Sequence, residues 1–434
     1  MDRLIEISEE EMWTDYLEEV NKLLHEEKAA RHENDAVKLS EICKRIMELS
    51  IDQKEYKWLR YFMILLTKRR GQAKKAVTEM VQQVMTYLDK MPTREEKFNL
   101  INSLREATEG KIYVEVEYAR CTRIYSEMKE EDGELDEATD TIQEVQIETY
   151  GSMEKEEKLE YILYQLKLVL LRKDYVRTQI ILKKISRKGL EVKGLEKIKI
   201  NYYSQIIEYY NHEKDTLEVA KCYQTIYNTM KKVEEDKESD LEFPYEEKNK
   251  NFENFVIYLM ITSYSNHQVD LLNIVNTRYS RELESNPVLE KFVHKFLLSE
   301  LMPLDEDNVK EQLGIYEPFQ AHIEFADEHL DSLFKQIIQH NLRVIEKYYT
   351  RIRLDRLSPL IGVGIDRTEQ EIADMVINKR IVAKINRIDG IVKFGKKEFT
   401  NDTLNTWNHD IKSLLSKIDT TCHLINRERV VYDK

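Results

Sequence analysis

A short turn signature returns along this chain at intervals close to forty residues, and that interval limits the fold more than any other feature. Asp132-Gly133-Glu134-Leu135-Asp136-Glu137-Ala138 reads as a turn running into a helix. Similar turns stand at Lys173-Asp174-Tyr175-Val176-Arg177-Thr178 and Asp215-Thr216-Leu217-Glu218-Val219-Ala220. The large residues Leu135, Tyr175 and Leu217 are 40 and 42 positions apart, and the small residues Ala138, Thr178 and Ala220 keep the same spacing. Ala36 and Ala76 are also 40 apart. A period of this length holds two helices and two turns. The small residue lets paired helices approach, and the large one fills the gap between neighbouring pairs. That is the logic of an α-solenoid of tetratricopeptide-like helix pairs. An ordinary helical bundle with coincident spacing is the competing reading. Composition sides with helices in either case, because 11 glycines and 6 prolines in 434 residues are too few for the turns of a sandwich, barrel or propeller. At 41% apolar the chain has material for a core rather than for disorder.

Lys plus Arg number 67 against 81 Asp plus Glu, a net charge of −14 that argues against nucleic acid as the main partner. Cys43, Cys121, Cys222 and Cys422 are scattered and form no C-x-x-C, so free thiols in a reducing compartment are expected. Met1-Asp2-Arg3-Leu4-Ile5-Glu6 is acidic within a few positions and has no apolar signal core. The longest apolar runs, such as Phe255 to Ile261, are far short of a membrane span. A soluble, intracellular, mostly helical protein is expected.

Successive amphipathic helices fill residues 1–235, the expected N-terminal solenoid. Residues 236–335 continue it into a second helical part. Lys231 to Asn251 and Pro303 to Pro318 read as polar loops, with acidic runs at Glu234-Glu235-Asp236 and Asp305-Glu306-Asp307. The pattern changes within 336–400. His340 to Arg351 reads as a helix, and Ile352 to Ile361 as a short segment and helix ending near Gly362 and Gly364. Asp366 and Thr368 are candidate caps for the next helix, which carries Ile372, Met375 and Val376 to the core. Ile381 to Asn386 alternates like a strand, Arg387 to Gly390 turns, and Ile391 to Phe394 returns. Helices followed by a β-hairpin describe a winged helix. Residues 401–434 form one long helix. Leu404, Ile411, Ile418 and Ile425 recur every seven residues, and Trp407, Leu414 and Thr421 form a second heptad row three or four positions away. Such a seam needs a partner helix, either in its own chain or, as this reading prefers, in an intermolecular bundle.

Catalytic motifs are missing from the sequence. No Gly-Lys precedes Ser or Thr as in a phosphate-binding loop, no H-E-x-x-H and no Gly-x-Ser-x-Gly occurs, and Gly362 and Gly364 lack a third dinucleotide-binding glycine. His25 with His32, and His322 with His329, are too far apart to ligate one metal unaided. No cofactor, metal or enzymatic activity is expected. The winged helix raises nucleic-acid binding as an alternative, and residues 340–400 hold 13 Lys or Arg against 8 Asp or Glu, a local +5. However, the helix that would enter a groove carries Glu369, Glu371 and Asp374, which oppose phosphates. The basic surplus includes Lys384, Lys393, Lys396 and Lys397 on the hairpin. A hairpin edge that pairs with another chain's hairpin is the better use of that surface.

Helical repeats, a winged helix and then a heptad helix is the layout of PCI-domain scaffold subunits, found in the proteasome lid, the COP9 signalosome and the initiation-factor-3 complex. Several runs are similar to the proteasome regulatory-particle non-ATPase subunit 12 family. They are Thr108 to Arg120 (TEGKIYVEVEYAR), Glu144 to Met153 (EVQIETYGSM), His340 to Ile345, Lys347 to Ile352, Ala383 to Arg387, Leu404 to Trp407 and Thr421 to Ile425. The resemblance covers roughly residues 98–230 and 335–428.

The resemblance implies a non-catalytic scaffold of the 26S proteasome lid, cytoplasmic and nuclear, needed for lid assembly and ATP-dependent degradation of ubiquitinated proteins. It implies no membrane partner. It implies a PCI–PCI contact through the wing strands, at Val382, Lys384, Asn386, Ile391 and Lys393. It implies a shared helical bundle formed through Leu404, Trp407, Ile411, Leu414, Ile418 and Ile425. Other lid PCI subunits, the metal-dependent deubiquitinase, the ATPase ring and the core-particle α ring are the implied partners. A signalosome scaffold and a winged-helix nucleic-acid binder are the alternatives.

Overall fold

The structure, a computed structural model, describes residues 15–33, 35–235, 243–303, 306–320, 325–395 and 400–432. Met1 to Glu6, Asp236, Asp305, His322, Lys396 and Lys397, named above, lie outside the described residues. The chain packs as two compact units, Met1–His212 and Glu213–Lys434.

Among the described residues the first unit has ten α-helices in series, with short 3-10 turns between some of them: α1 (Asp15–Glu33), α2 (Ala36–Asp52), α3 (Tyr56–Lys68), α4 (Lys74–Thr86), α5 (Arg94–Thr108), α6 (Glu115–Glu131), α7 (Leu135–Gln143), α8 (Lys155–Leu171), α9 (Tyr175–Lys184) and α10 (Glu196–His212). The forty-residue signature is a backbone event. Gly133, Lys173 and Lys214 all have positive φ, at 83°, 59° and 59°, and stand 40 and 41 positions apart. At Gly133 the next residue closes the preceding helix, since Glu134 N–H donates to the Lys129 carbonyl at 3.0 Å. Asp174 N–H likewise donates to the Val169 carbonyl at 3.1 Å. This is the left-handed helix stop that glycine adopts without cost and lysine adopts under mild strain. Asp174 then caps α9 by accepting from Arg177 N–H at 3.1 Å.

The small residues act as expected. Ala138 and Thr178 are fully buried, and Ser126 of α6 donates to the Ala138 carbonyl at 2.9 Å across the close helix pair. Ala36 is not equivalent to Ala76. It opens α2 half-buried, whereas Ala76 is the third residue of α4 and fully buried. Ion pairs mark the stacking of one repeat on the next. Arg94–Glu131, Arg120–Glu157, Arg123–Glu160 and Lys167–Glu130 close at 3.0, 2.6, 3.5 and 2.6 Å, each 37 positions apart. Exposed pairs contribute little stability. Lys44–Glu79, Arg60–Glu96, Lys68–Glu106 and Arg105–Glu144 join the same series at separations of 35, 36, 38 and 39, and such recurrence at about one repeat length suits a solenoid better than a bundle with coincident spacing.

The second unit opens with α11 (Thr216–Glu235), α12 (Tyr245–Ile261), α13 (Asn266–Arg278), α14 (Ser280–Glu284), α15 (Pro287–Leu297) and α16 (Glu306–Leu313). Helix therefore invades both expected loops. α11 and α12 take the ends of 231–251, and α16 occupies the middle of 303–318, because polar sequence is also the sequence of an exposed helix. The apolar run at Phe255 to Ile261 is the C-terminal part of α12, buried on all sides at the centre of this unit.

The winged helix follows: α17 (Ala326–Tyr348), β1 (Arg351–Arg353), α18 (Leu354–Ile361), α19 (Ile365–Ile377), β2 (Ala383–Asn386), β3 (Ile391–Phe394) and then α20 (Thr400–Tyr432). The expected hairpin is present, but in a three-stranded antiparallel sheet of order β1-β3-β2. The sequence reading missed β1, since three residues carry no usable alternation. The α19 caps also need correction. Gly364 is the cap residue, and Thr368, inside the helix, donates its hydroxyl to the Gly364 carbonyl at 2.9 Å. Ile345, Leu357, Ile361, Ile372, Met375 and Val392 are among the core residues under the sheet.

Candidate interaction surfaces: an unpartnered helix and a sheet edge

Every side chain described from Leu404 to Tyr432 on α20 is exposed. The heptad residues Leu404, Trp407, Ile411, Leu414, Ile418 and Ile425 are 50–67% exposed. Seven residues make almost two helical turns, so they form one stripe along a helix of 33 residues. Thr421 fits the stripe because its hydroxyl is satisfied at home, donating to the Lys417 carbonyl at 2.8 Å and leaving its methyl free. The stripe is wider than the sequence reading made it. Leu415 and Leu424, at 58% and 53% exposure, flank it on opposite sides. A helix apolar beyond its two heptad rows suits a bundle of several helices better than a two-stranded coil.

The wing presents a different surface. β3 pairs with β1 on one side and β2 on the other, so Ile391 and Lys393 stand on a strand whose two edges are used. Lys384 and Asn386 stand on β2, which pairs among the described residues with β3 alone, and Val382 leads into it. Val382, Lys384, Asn386 and Lys393 are exposed, and Ile391 is half-buried. The edge open to another chain is therefore that of β2, with β1 at the far side. Asn386 also shapes the wing tip: its amide donates to Asp389 at 2.7 Å and its oxygen accepts from Ile388 N–H at 3.2 Å.

The acids of α19 do not face outward as a group, as the sequence reading assumed. Glu371 is buried and accepts from the Gln339 amide at 3.3 Å. Asp374 accepts from Lys335 at 2.8 Å, and Glu369 pairs with Arg387 of the wing at 2.5 Å. Glu371 also lies 3.9 Å from Lys335, so internal partners consume all three.

A clamp that sequence reasoning did not find joins α17 to the segment before it. The fully buried Asn341 accepts from Met302 N–H and donates to the Met302 carbonyl, both at 2.8 Å. At the preceding residue, His340 Nε2 lies 3.1 Å from the Glu300 carbonyl. Burial pushes the His340 imidazole down to about 4, with the nearby Arg343 guanidinium adding to the effect. The only sequence signal was the polar pair His340-Asn341 inside an apolar helix.

Among the described residues, no group of three or more His, Cys, Asp or Glu is arranged to hold a metal, and no helix is long and apolar enough to cross a membrane. Cys43, Cys121 and Cys222 are buried free thiols, whereas Cys422 is an exposed free thiol on α20.

Comparison with known proteins agrees with this architecture segment by segment. The family model described as "PSMD12/CSN4, N-terminal" matches residues 18–236, and the PCI domain matches 289–396. The 26S proteasome regulatory subunit RPN5 C-terminal domain matches 401–433, which is the exposed helix. A Dictyostelium discoideum 26S proteasome non-ATPase regulatory subunit 12 is 34% identical over 96% of this chain and 90% of that protein. The chain belongs to the 26S proteasome regulatory subunit 12/RPN5 family. The Saccharomyces cerevisiae regulatory subunit RPN5 is 35% identical over 95% of this chain and 91% of its own length. A Caenorhabditis elegans COP9 signalosome complex subunit 4 reaches 28% over 34% of this chain and 31% of its own length. The N-terminal model is common to both lineages by its own description. Full-length identity and the C-terminal helix place this chain on the proteasome side.

Proposed function

We propose that the chain is a non-catalytic scaffold of the proteasome regulatory-particle lid, working in cytoplasm and nucleus. The observation that carries this reading is α20, an apolar stripe uncovered along its whole length in the segment that matches the RPN5 C-terminal domain. A helix of this kind gains its stability on docking. In this reading α20 enters a helical bundle with other lid subunits, the β2 edge meets a neighbouring PCI domain, and the solenoid reaches toward the ATPase ring, the core-particle α ring and the metal-dependent deubiquitinase. Degradation of ubiquitinated proteins then depends on the chain through assembly rather than through chemistry.

The test is to isolate the tagged chain at gentle salt and weigh its complexes by native mass spectrometry. A large assembly containing an ATPase ring and a metal-dependent deubiquitinase is expected. A free monomer, a signalosome-sized complex or a nucleic-acid complex overturns the proposal.

A further inference from the structure

The outward face of the three-stranded sheet carries a charge pattern that no ion pair balances among the described residues. In the sheet register Arg351 lies opposite Lys393, and Lys393 lies opposite Lys384, so three cations form one row from β1 across β3 to β2. Arg353 sits two residues along β1 on the same face, because strand side chains alternate. All four are exposed. None is in an ion pair within the described residues, and no strand of the sheet contains an acid. Asp389, at the tip, is already taken by the Asn386 amide. Like charges directly opposite one another oppose the sheet that holds them. A face built this way fits a ligand that supplies the missing negative charge.

We propose that this face receives an extended acidic protein segment, added beside β2 and carrying Asp or Glu at alternate positions. The free β2 edge decides for peptide over nucleic acid. A strand paired there puts every second side chain on the outward face, in line with Lys384 and Lys393, while its backbone satisfies the edge. A phosphate backbone offers the edge nothing equivalent. Winged-helix binding to a duplex also runs through the helix corresponding to α19, and here the wing's Arg387 is spent on Glu369 of that helix. The proposal rests on the wing edge being an interface and adds the chemistry of the neighbour.

The test uses the full-length chain and the remaining lid subunits assembled without it, with affinity measured at low and physiological salt. Arg351→Gln/Lys384→Gln/Lys393→Gln removes the row. We expect it to bind about tenfold more weakly at low salt and to lose most of the salt dependence. Its melting temperature should be unchanged or higher, since repulsion is relieved. Separately, Asn386→Cys in a Cys422→Ser background, bearing a photo-crosslinker, reports whether the β2 edge lies against another subunit, whatever its charge, because Cys422 is the thiol exposed in the unaltered chain. A crosslink together with unchanged affinity and salt dependence overturns the acidic segment while the edge reading stands. Charge-sensitive binding without a crosslink keeps the acidic partner and removes the edge. Salt-dependent capture of a 20-nucleotide single-stranded RNA, lost in the triple variant while subunit binding is unaffected, overturns the proposal in favour of nucleic acid.

Discussion

Replacing Ile411 and Ile418 separates folding from docking, because both residues are already half in water. They are 51% and 50% exposed, so the fold of the free chain draws little on them. Full burial of an isoleucine side chain is worth about 1.5–3 kcal/mol, so docking that covers the exposed half gains about 1 kcal/mol from each. Ile411→Ala/Ile418→Ala should therefore weaken assembly by about 2 kcal/mol, a factor of about 30. Ile411→Asp/Ile418→Asp adds the cost of burying two carboxylates without partners, several kcal/mol more, and should abolish incorporation. His409→Asp/Ser416→Asp, also seven residues apart but on the opposite side of the same helix, should incorporate normally. The assay is co-assembly with the other lid subunits followed by native mass spectrometry, with circular-dichroism melts of each free chain alongside. All the free chains should melt within about 0.5 kcal/mol of one another. Normal incorporation of the double-Asp chain would refute the seam. A double-Asp chain that no longer folds would refute the reasoning that α20 stands outside the core.

Three further outcomes follow from the interior. Asn341→Leu strands the amide and carbonyl of Met302 in a buried site, and should cost about 2–4 kcal/mol of unfolding free energy in a denaturant titration. The depressed pKa of His340 makes stability depend on pH in one direction. Stability is full above the ordinary value of 6.5, falls as the unfolded chain takes up a proton below it, and stops falling near 4, where the folded imidazole also protonates. The loss is at most about 3 kcal/mol, and His340→Gln, which keeps a donor for Glu300, should flatten that part of the profile. A maleimide should label one thiol of the folded chain, Cys422. Cys43 and Cys121 are buried and pushed up to about 12 by desolvation, and a count above one before unfolding would contradict their burial.

Much of this architecture was legible in the chain because it is written locally. The forty-residue period follows from a left-handed stop at Gly133 and Lys173 and from the small residues Ala138 and Thr178, each five positions later. The β2–β3 hairpin follows from alternation around Gly390, and the α20 stripe from its heptads. These signals reach only as far as one turn, one hairpin or one helix face. What they leave open is pairing across long separations. β1 is three residues long and becomes a strand only because β3 lies beside it, 40 positions on, and that pairing moves Lys393 from an edge to the centre of the sheet. The acids of α19 look solvated in sequence and are buried or paired through Lys335, Gln339 and Arg387. Asn341 reads as a stray polar residue until Met302, 39 positions away, supplies both partners. Periodicity and turn chemistry determined the elements and their order. Tertiary contact alone decided which edges, charges and apolar faces were used up inside the chain and which remain for another protein, because a free valence on a protein surface exists only relative to everything the fold has already satisfied.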